Sequence, residues 1–235
     1  VVGFAPIGSV HFPASDRLAD VDAARQAMFA VAQKNVWNVS WFSDPIFFKH
    51  YPEDGLALFG SAVPQIGPHD MDIIGQPMDF YGVNIYTGVR IQASANGQPA
   101  EAGDAVGGPR TDYNWTVSPE SLYWGPRFLY ERYKTPIVIT ENGMANVDWV
   151  AMDGKVHDPQ RMDYLRRYLL ELRKAISDGV DVRGYFQWSI MDNFEWAVGY
   201  QQRFGLIYVD YTTQKRTPKD SYYLYQQIIQ QNQVV

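Results

Sequence analysis

Apolar positions along this chain come in two patterns, short unbroken runs and stretches that recur at helical spacing, and the two patterns take turns. Residues 1–7 (VVGFAPI) form an apolar run closed by Gly8-Ser9, which predicts a buried strand. Val21, Ala24, Met28 and Val31 then fall on one face of a helix over residues 20–34. A Trp-rich irregular stretch follows, with Ser43-Asp44-Pro45 read as a turn. Residues 79–86 (DFYGVNIY) are β-branched and aromatic and predict a second strand. Residues 94–111 are rich in glycine, with Pro99 and Pro109, and read as a long surface loop. A helix is predicted over 119–132. Residues 136–140 (PIVIT) have the pattern of a strand buried on both faces. Asp158-Pro159 supplies a helix cap with proline at the first helical position. Met162, Leu165, Leu169, Leu172 and Ile176 keep one face apolar until Gly179 ends that helix. Residues 182–188 (VRGYFQW) predict the fourth strand. Thr217-Pro218-Lys219-Asp220 resembles a capping box, with Asp for the usual Glu, opening a helix from 218 to about 231.

The order is therefore strand-helix four times over, the mark of a parallel α/β sheet. No linker divides the chain and no repeat of solenoid length occurs, so residues 1–235 are expected to form a single domain. Four βα units fit a small doubly wound sheet and equally fit half of an eight-unit barrel, and the periodicity leaves both open.

Composition removes several function classes. Lys plus Arg is 20 against 26 for Asp plus Glu, a net charge of -6, which argues against nucleic acid as a partner. Cysteine is absent, so disulfides, thiolate metal sites and cysteine nucleophiles are excluded. His11, His50, His69 and His157 lack the spacing of a metal site, and no P-loop is present, so no cofactor is expected. No apolar run is long enough to span a bilayer and no signal-peptide pattern is visible, which points away from a membrane and toward the cytoplasm. The opening Val1-Val2-Gly3 lacks a methionine, so the true start is expected to have been removed. Asn38-Val-Ser40 and Asn114-Trp-Thr116 match the glycosylation pattern. Aromatic residues make up 15% of the chain, which suits either a thick core or a cleft that grips flat ligands such as sugars.

In parallel α/β folds chemistry gathers at the C-terminal ends of strands. There this sequence carries Glu141-Asn142-Gly143 after the third strand, with the glycine expected to turn the chain. Trp188 and Asp192-Asn193-Phe194-Glu195-Trp196 follow the fourth strand, and Asn84 and Tyr86 end the second. Each motif alone reads as an ordinary loop or core feature. Together they supply carboxylates and amides for hydroxyl groups and indole faces for a sugar ring.

The stretch Ile139-Thr-Glu141-Asn-Gly143 resembles the nucleophile motif of the family-one glycoside hydrolases, the β-glucosidase family. The run from Gly184 through Trp188 and Glu195-Trp196, continuing from Gly199 through Phe204 to Ser221, is similar to the end of that family's barrel. Phe12-Pro-Ala-Ser15, Asp44-Pro-Ile46, Tyr51-Pro52 and Asp79-Phe-Tyr-Gly-Val-Asn84 extend the likeness over nearly the whole chain. The resemblance implies the second half, the last four βα units, of a (β/α)8 TIM barrel, with sequential strand neighbours. It implies that Glu141 is the nucleophile, with Tyr86 hydrogen-bonded to it and Asn84 nearby. Trp188 would be the platform under the sugar, and Glu195 and Trp196 would bind its far hydroxyls. Phe204 and Trp124 would form aromatic walls, Trp124 on the leaving-group side. A carboxylate at Glu195 would repel a phosphate, so unphosphorylated β-glycosides are the implied substrates. The chain departs from the family in carrying Ile85 before Tyr86 and Phe4-Ala-Pro-Ile7 where relatives often have asparagine. The family's acid/base motif, Asn-Glu-Pro, occurs nowhere in it. An N-terminal half-barrel polypeptide is therefore the expected partner, with self-association as the alternative cover for open strand edges. A sugar-binding or assembly module without turnover is the competing reading.

Overall fold

The computed structural model describes residues 1–234. In chain order the elements are β1 (Gly3–Phe4), β2 (His11–Pro13), α1 (Leu18–Phe29), α2 (Val39–Phe48), α3 (Glu53–Phe59), α4 (Asp70–Ile74), β3 (Phe80–Asn84), β4 (Val89–Ala93), β5 (Pro99–Glu101), α5 (Ser121–Tyr133), β6 (Ile137–Asn142), α6 (Pro159–Ser177), β7 (Val182–Gln187), β8 (Ile207–Val209), β9 (Arg216–Pro218) and α7 (Asp220–Gln231). The central sheet has the order β1-β3-β6-β7, every pair parallel. Its strands are neighbours in the order in which they occur, each followed by a helix that returns the chain. No switch point interrupts them, so the sheet is half of an eight-unit barrel and not a doubly wound sheet.

One face of this sheet is packed and the other is open. On β6, Ile137 and Ile139 are fully buried under helices α5 and α6, whereas Val138 and Thr140 are only partly covered. The reading of 136–140 as buried on both faces therefore holds for one face only. On β7, Tyr185 turns toward the helices while Phe186 is 60% exposed. Helix α6 lays Leu165, Leu169 and Leu172 onto the packed face, with Met162 partly buried and Ile176 left exposed at the end of the stripe. Each such buried leucine is worth roughly 1.5–3 kcal/mol.

Several local expectations change. Only Gly3–Phe4 of residues 1–7 pair as a strand, against Phe80 and Tyr81 of β3. The first helix ends at Phe29 rather than at 34, and its buried Asp20 accepts from Ser15 Oγ and from the Ala93 N–H of β4. Ser43-Asp44-Pro45 is not a turn but lies inside α2. Asp44 is held there by Arg132 Nη2 at 2.7 Å and Tyr133 Oη at 2.8 Å, both from α5. Part of the glycine-rich segment pairs as β5 against β4, and β2 completes that small sheet. Asn38 is buried, with its amide bonded to the carbonyls of Gln33 and Asn35, so the first glycosylation triplet has no accessible acceptor. Among the described residues no helix is long and apolar enough to cross a membrane.

The expected capping box is absent for a related reason. Residues 216–218 are strand β9, α7 starts at Asp220, and Lys219 sends its side chain into the interior. Its ammonium bonds Asp148 at 2.6 Å and Asp192 at 2.8 Å. Arg161 joins Asp148 at 2.6 Å and also pairs with Asp158, while Arg203 bonds Asp192 at 2.5 Å. Asp158, expected as a side-chain cap for α6, instead accepts from Arg161 and from the Ser221 hydroxyl. Three acids thus meet three bases in a dry network that fastens the loops after β6 and β7 to α6, β9 and α7. Breaking a buried pair on one side leaves an uncompensated charge. We expect Arg161→Met to cost about 3–5 kcal/mol of stability, read from the urea midpoint of unfolding. A change near zero would show that the network tolerates an unpaired acid.

Candidate active site

The central strands deliver their functional side chains to one end of the sheet. Asn84 of β3 stands in register with Glu141 of β6, and Asn142 of β6 with Gln187 of β7. A shift in pairing at Val83–Asn84 and another between Ile139 and Asn142 re-aim the last residues of these strands.

Tyr86, two residues beyond β3, donates its phenolic hydrogen to Glu141 Oε2 in a short contact. Burial first, and then this hydrogen bond and the charges of Glu141 and Glu195, raise the Tyr86 pKa well above the ordinary phenol value. It therefore stays a neutral donor throughout the working pH range. Phe204 is buried, with its ring 6.0 Å from that of Tyr86 and nearly perpendicular to it. Trp188 follows β7 directly, and its indole N–H points at Glu195 Oε2 at 3.4 Å. The Glu195 carboxyl is raised above its usual value by burial and by the Glu141 charge, while the Trp188 hydrogen bond opposes the shift. Trp196 is 84% exposed, at the start of a short turn. Asn84 is exposed and accepts a hydrogen bond from Thr140 Oγ1 at 2.6 Å. Glu141, Tyr86, Phe204, Trp188, Glu195 and Asn84 are thus gathered at one end of the sheet, with Trp196 on the same loop as Glu195.

Trp124 is not brought there. It lies one turn into α5, packed on Tyr123 and Phe128 with the Arg127 guanidinium over its ring. The aromatic beside Tyr86 is instead Trp115, with ring centroids 5.3 Å apart, and Trp115 also stacks with Tyr113 at 4.5 Å. A wall at a strand end needs a loop residue, and position 124 is committed to a helix. The alternating aromatics Tyr113 and Trp115 in the loop before α5 are the signal that sequence reading passed over.

The motif's other two residues also have roles of their own. The Asn142 amide donates to the Ile85 carbonyl at 2.7 Å and to Tyr164 Oη at 3.0 Å, and accepts from Tyr185 Oη at 2.7 Å. Tyr164 and Tyr168 in turn donate to the Tyr86 carbonyl at 2.9 and 3.1 Å. Gly143 does not serve to turn the chain through a left-handed residue. A Cβ there would fall 2.0 Å from the Trp188 carbonyl oxygen, so only glycine lets the β6 and β7 ends approach this closely.

The family model for glycosyl hydrolase family 1 matches residues 2–234. A 1,4-β-D-glucan glucohydrolase from Thermotoga neapolitana is 42% identical over 94% of this chain, which covers 48% of that relative. A bifunctional β-D-glucosidase/β-D-fucosidase from Bifidobacterium breve is 42% identical over 80% of this chain and 45% of its own length. The solved β-glucosidase from Thermotoga maritima in complex with deoxynojirimycin superposes with a TM-score of 0.83 at 37% identity, over 99% of this chain and 51% of that one. The chain spans about half the length of these relatives.

The Gly143 contact gives a direct check. Gly143→Ala must push the Trp188 backbone aside, and overpacking of this kind costs about 1–3 kcal/mol. Thermal or denaturant unfolding should show that loss, with the Trp188 indole resonance displaced in NMR spectra. An unchanged midpoint would mean that the strand ends have room to part.

Proposed function

The chain belongs to glycosyl hydrolase family 1, and on that premise we propose that it is the nucleophile-bearing half of a retaining β-glycosidase acting on unphosphorylated β-glycosides. The observation that carries this reading is the Tyr86–Glu141 hydrogen bond at adjoining strand ends, with Glu195 and Trp188 beside it. Glu141 attacks the anomeric carbon while the bond to the leaving oxygen breaks, giving a glycosyl ester. Tyr86 holds the attacking oxygen in place. Trp188 lies under the ring, Glu195 and Trp196 take the hydroxyls remote from the anomeric carbon, and Phe204 and Asn84 close the pocket around them.

The acid/base glutamate comes from the N-terminal half of the barrel, since no Asn-Glu-Pro stands in the 235 residues. It protonates the departing oxygen, then takes a proton from the water that frees the sugar with its configuration retained. That half covers the open sheet face and lines its carboxylate up about 5–5.5 Å from Glu141. Residues 1–235 act as one half-barrel domain. The names of the relatives favour β-glucosides, with β-fucosides alongside; β-galactosides are a further candidate class, and the reaction uses no cofactor.

A 2-deoxy-2-fluoro glycoside with a good leaving group should label Glu141 covalently in the completed enzyme, detected by peptide mass spectrometry. Glu141→Gln should abolish both labelling and turnover. A protein that binds sugar without labelling is a lectin-like module, and the reading fails. Tyr86→Phe removes one hydrogen bond to a charged group, worth about 1.5–3 kcal/mol, so kcat should fall roughly 10- to 100-fold. Full activity in that variant would remove Tyr86 from the mechanism.

A further inference from the structure

Beside Tyr86 and Asn84 the protein carries a cleft of about 510 Å³, within the range of small-molecule sites. Its walls are made largely of Ala5, Pro6, Ile7, Val10, Trp37 and Trp115. Among the described residues no charged side chain lines it. Three of the polar side-chain atoms it contains are engaged elsewhere. Thr87 Oγ1 donates to the Thr116 carbonyl at 2.7 Å, Asn84 Oδ1 accepts from Thr140, and the Tyr86 hydroxyl is given to Glu141. A sugar ring seated there would bring several hydroxyls and find no carboxylate or cation to take them, and each unsatisfied group is costly to desolvate.

Trp37 stands at this cleft with 53% of its surface exposed, on a segment that its own hydrogen bonds hold in place. The Trp37 N–H donates to Asn35 Oδ1 at 2.9 Å, and its carbonyl accepts from the Ser9 N–H at 3.1 Å. The next residue, Asn38, is buried and ties the carbonyls of Gln33 and Asn35. The backbone under the indole is thus fixed before any ligand arrives, so stacking on it costs little ordering.

We propose that the leaving-group side of the site selects flat, apolar aglycones over a second sugar, and that Trp37 is the residue that sets this preference. The proposal rests on Glu141 as nucleophile, because the cleft adjoins the Tyr86–Glu141 pair and receives whatever leaves the anomeric carbon.

The test compares kcat/KM for 2-phenylethyl β-glucoside, cellobiose and methyl β-glucoside in the enzyme completed by its N-terminal half. The alcohol released from cellobiose is the most acidic of the three, so leaving-group chemistry favours cellobiose. A preference for the phenylethyl substrate therefore reports binding. We expect that preference in the wild type. Trp37→Ala should lower kcat/KM for the phenylethyl substrate about 3- to 10-fold, the worth of one aromatic contact, with methyl β-glucoside hardly changed. Trp37→Phe should restore it. Preference for cellobiose, or an equal loss on all three substrates, overturns the proposal. A measurement that needs no variant supports the same decision: 2-phenylethyl β-thioglucoside should inhibit the wild type more strongly than methyl β-thioglucoside, and equal inhibition overturns the wall. A completed enzyme that hydrolyses none of the three removes instead the assignment of function beneath it.

Discussion

Behind Glu141, the side chain of Asn142 is fully buried with both amide hydrogens and its carbonyl oxygen used, by Ile85, Tyr164 and Tyr185. These partners come from the loop after β3, from α6 and from β7, and the Asn142 carbonyl also accepts the Trp188 N–H at 2.8 Å. One amide therefore sets the relative height of three strand ends and of the helix behind them. Each bond is modest in net terms, but leaving any buried partner unpaired costs about 1–3 kcal/mol, which discourages slippage of one strand past another. The position of Glu141 against Tyr86 and of Trp188 against Glu195 follows from that register. Gly143 completes the constraint by letting the two chain segments touch.

The six-charge network performs the corresponding task one layer out. Lys219 is buried, and that burial pulls its pKa down, as does Arg161, while the carboxylates of Asp148 and Asp192 push it back up. Asp192 also accepts the Gly205 N–H at 3.1 Å, so the loop bearing Glu195 is tied to the segment bearing Phe204. Apolar side chains would fill the same volume without fixing a direction, whereas paired charges accept only one arrangement. In this protein that specificity is spent on the loops that surround the C-terminal end of the sheet.

The open face has a different physical status. Phe186 is largely exposed and Val138 and Thr140 partly so, in positions that a closed barrel covers with its remaining strands. The outer strands β1 and β7 each have a neighbour on one side only. Relatives twice as long carry the other strands in the same chain. The proposed division of labour, with nucleophile here and acid/base in the other half, places the two reacting carboxylates on separate halves of one barrel.

The amino-acid sequence alone determined the four βα units, the parallel sheet and the strand ends and following loops that carry Glu141, Tyr86, Trp188 and Glu195. These features are repeated many times along the chain, as apolar runs, helical stripes and caps, and a local reading averages over many residues. The likeness to a known barrel then turned four units into half of eight. What escaped depended on single partners distant in the chain. Asp44 sits in a helix because Arg132 and Tyr133 reach it from α5. Thr217 forgoes a capping role because residues 216–218 pair as β9 and Lys219 turns inward to Asp148 and Asp192. Trp115 rather than Trp124 reaches Tyr86 because α5 turns position 124 away, and Gly143 is required by a carbonyl 45 residues later. Local pattern fixes which residues form strands and helices, since the backbone's preferences act over a few residues. Which side chains meet is decided only when the packed sheet brings remote segments within a few ångströms.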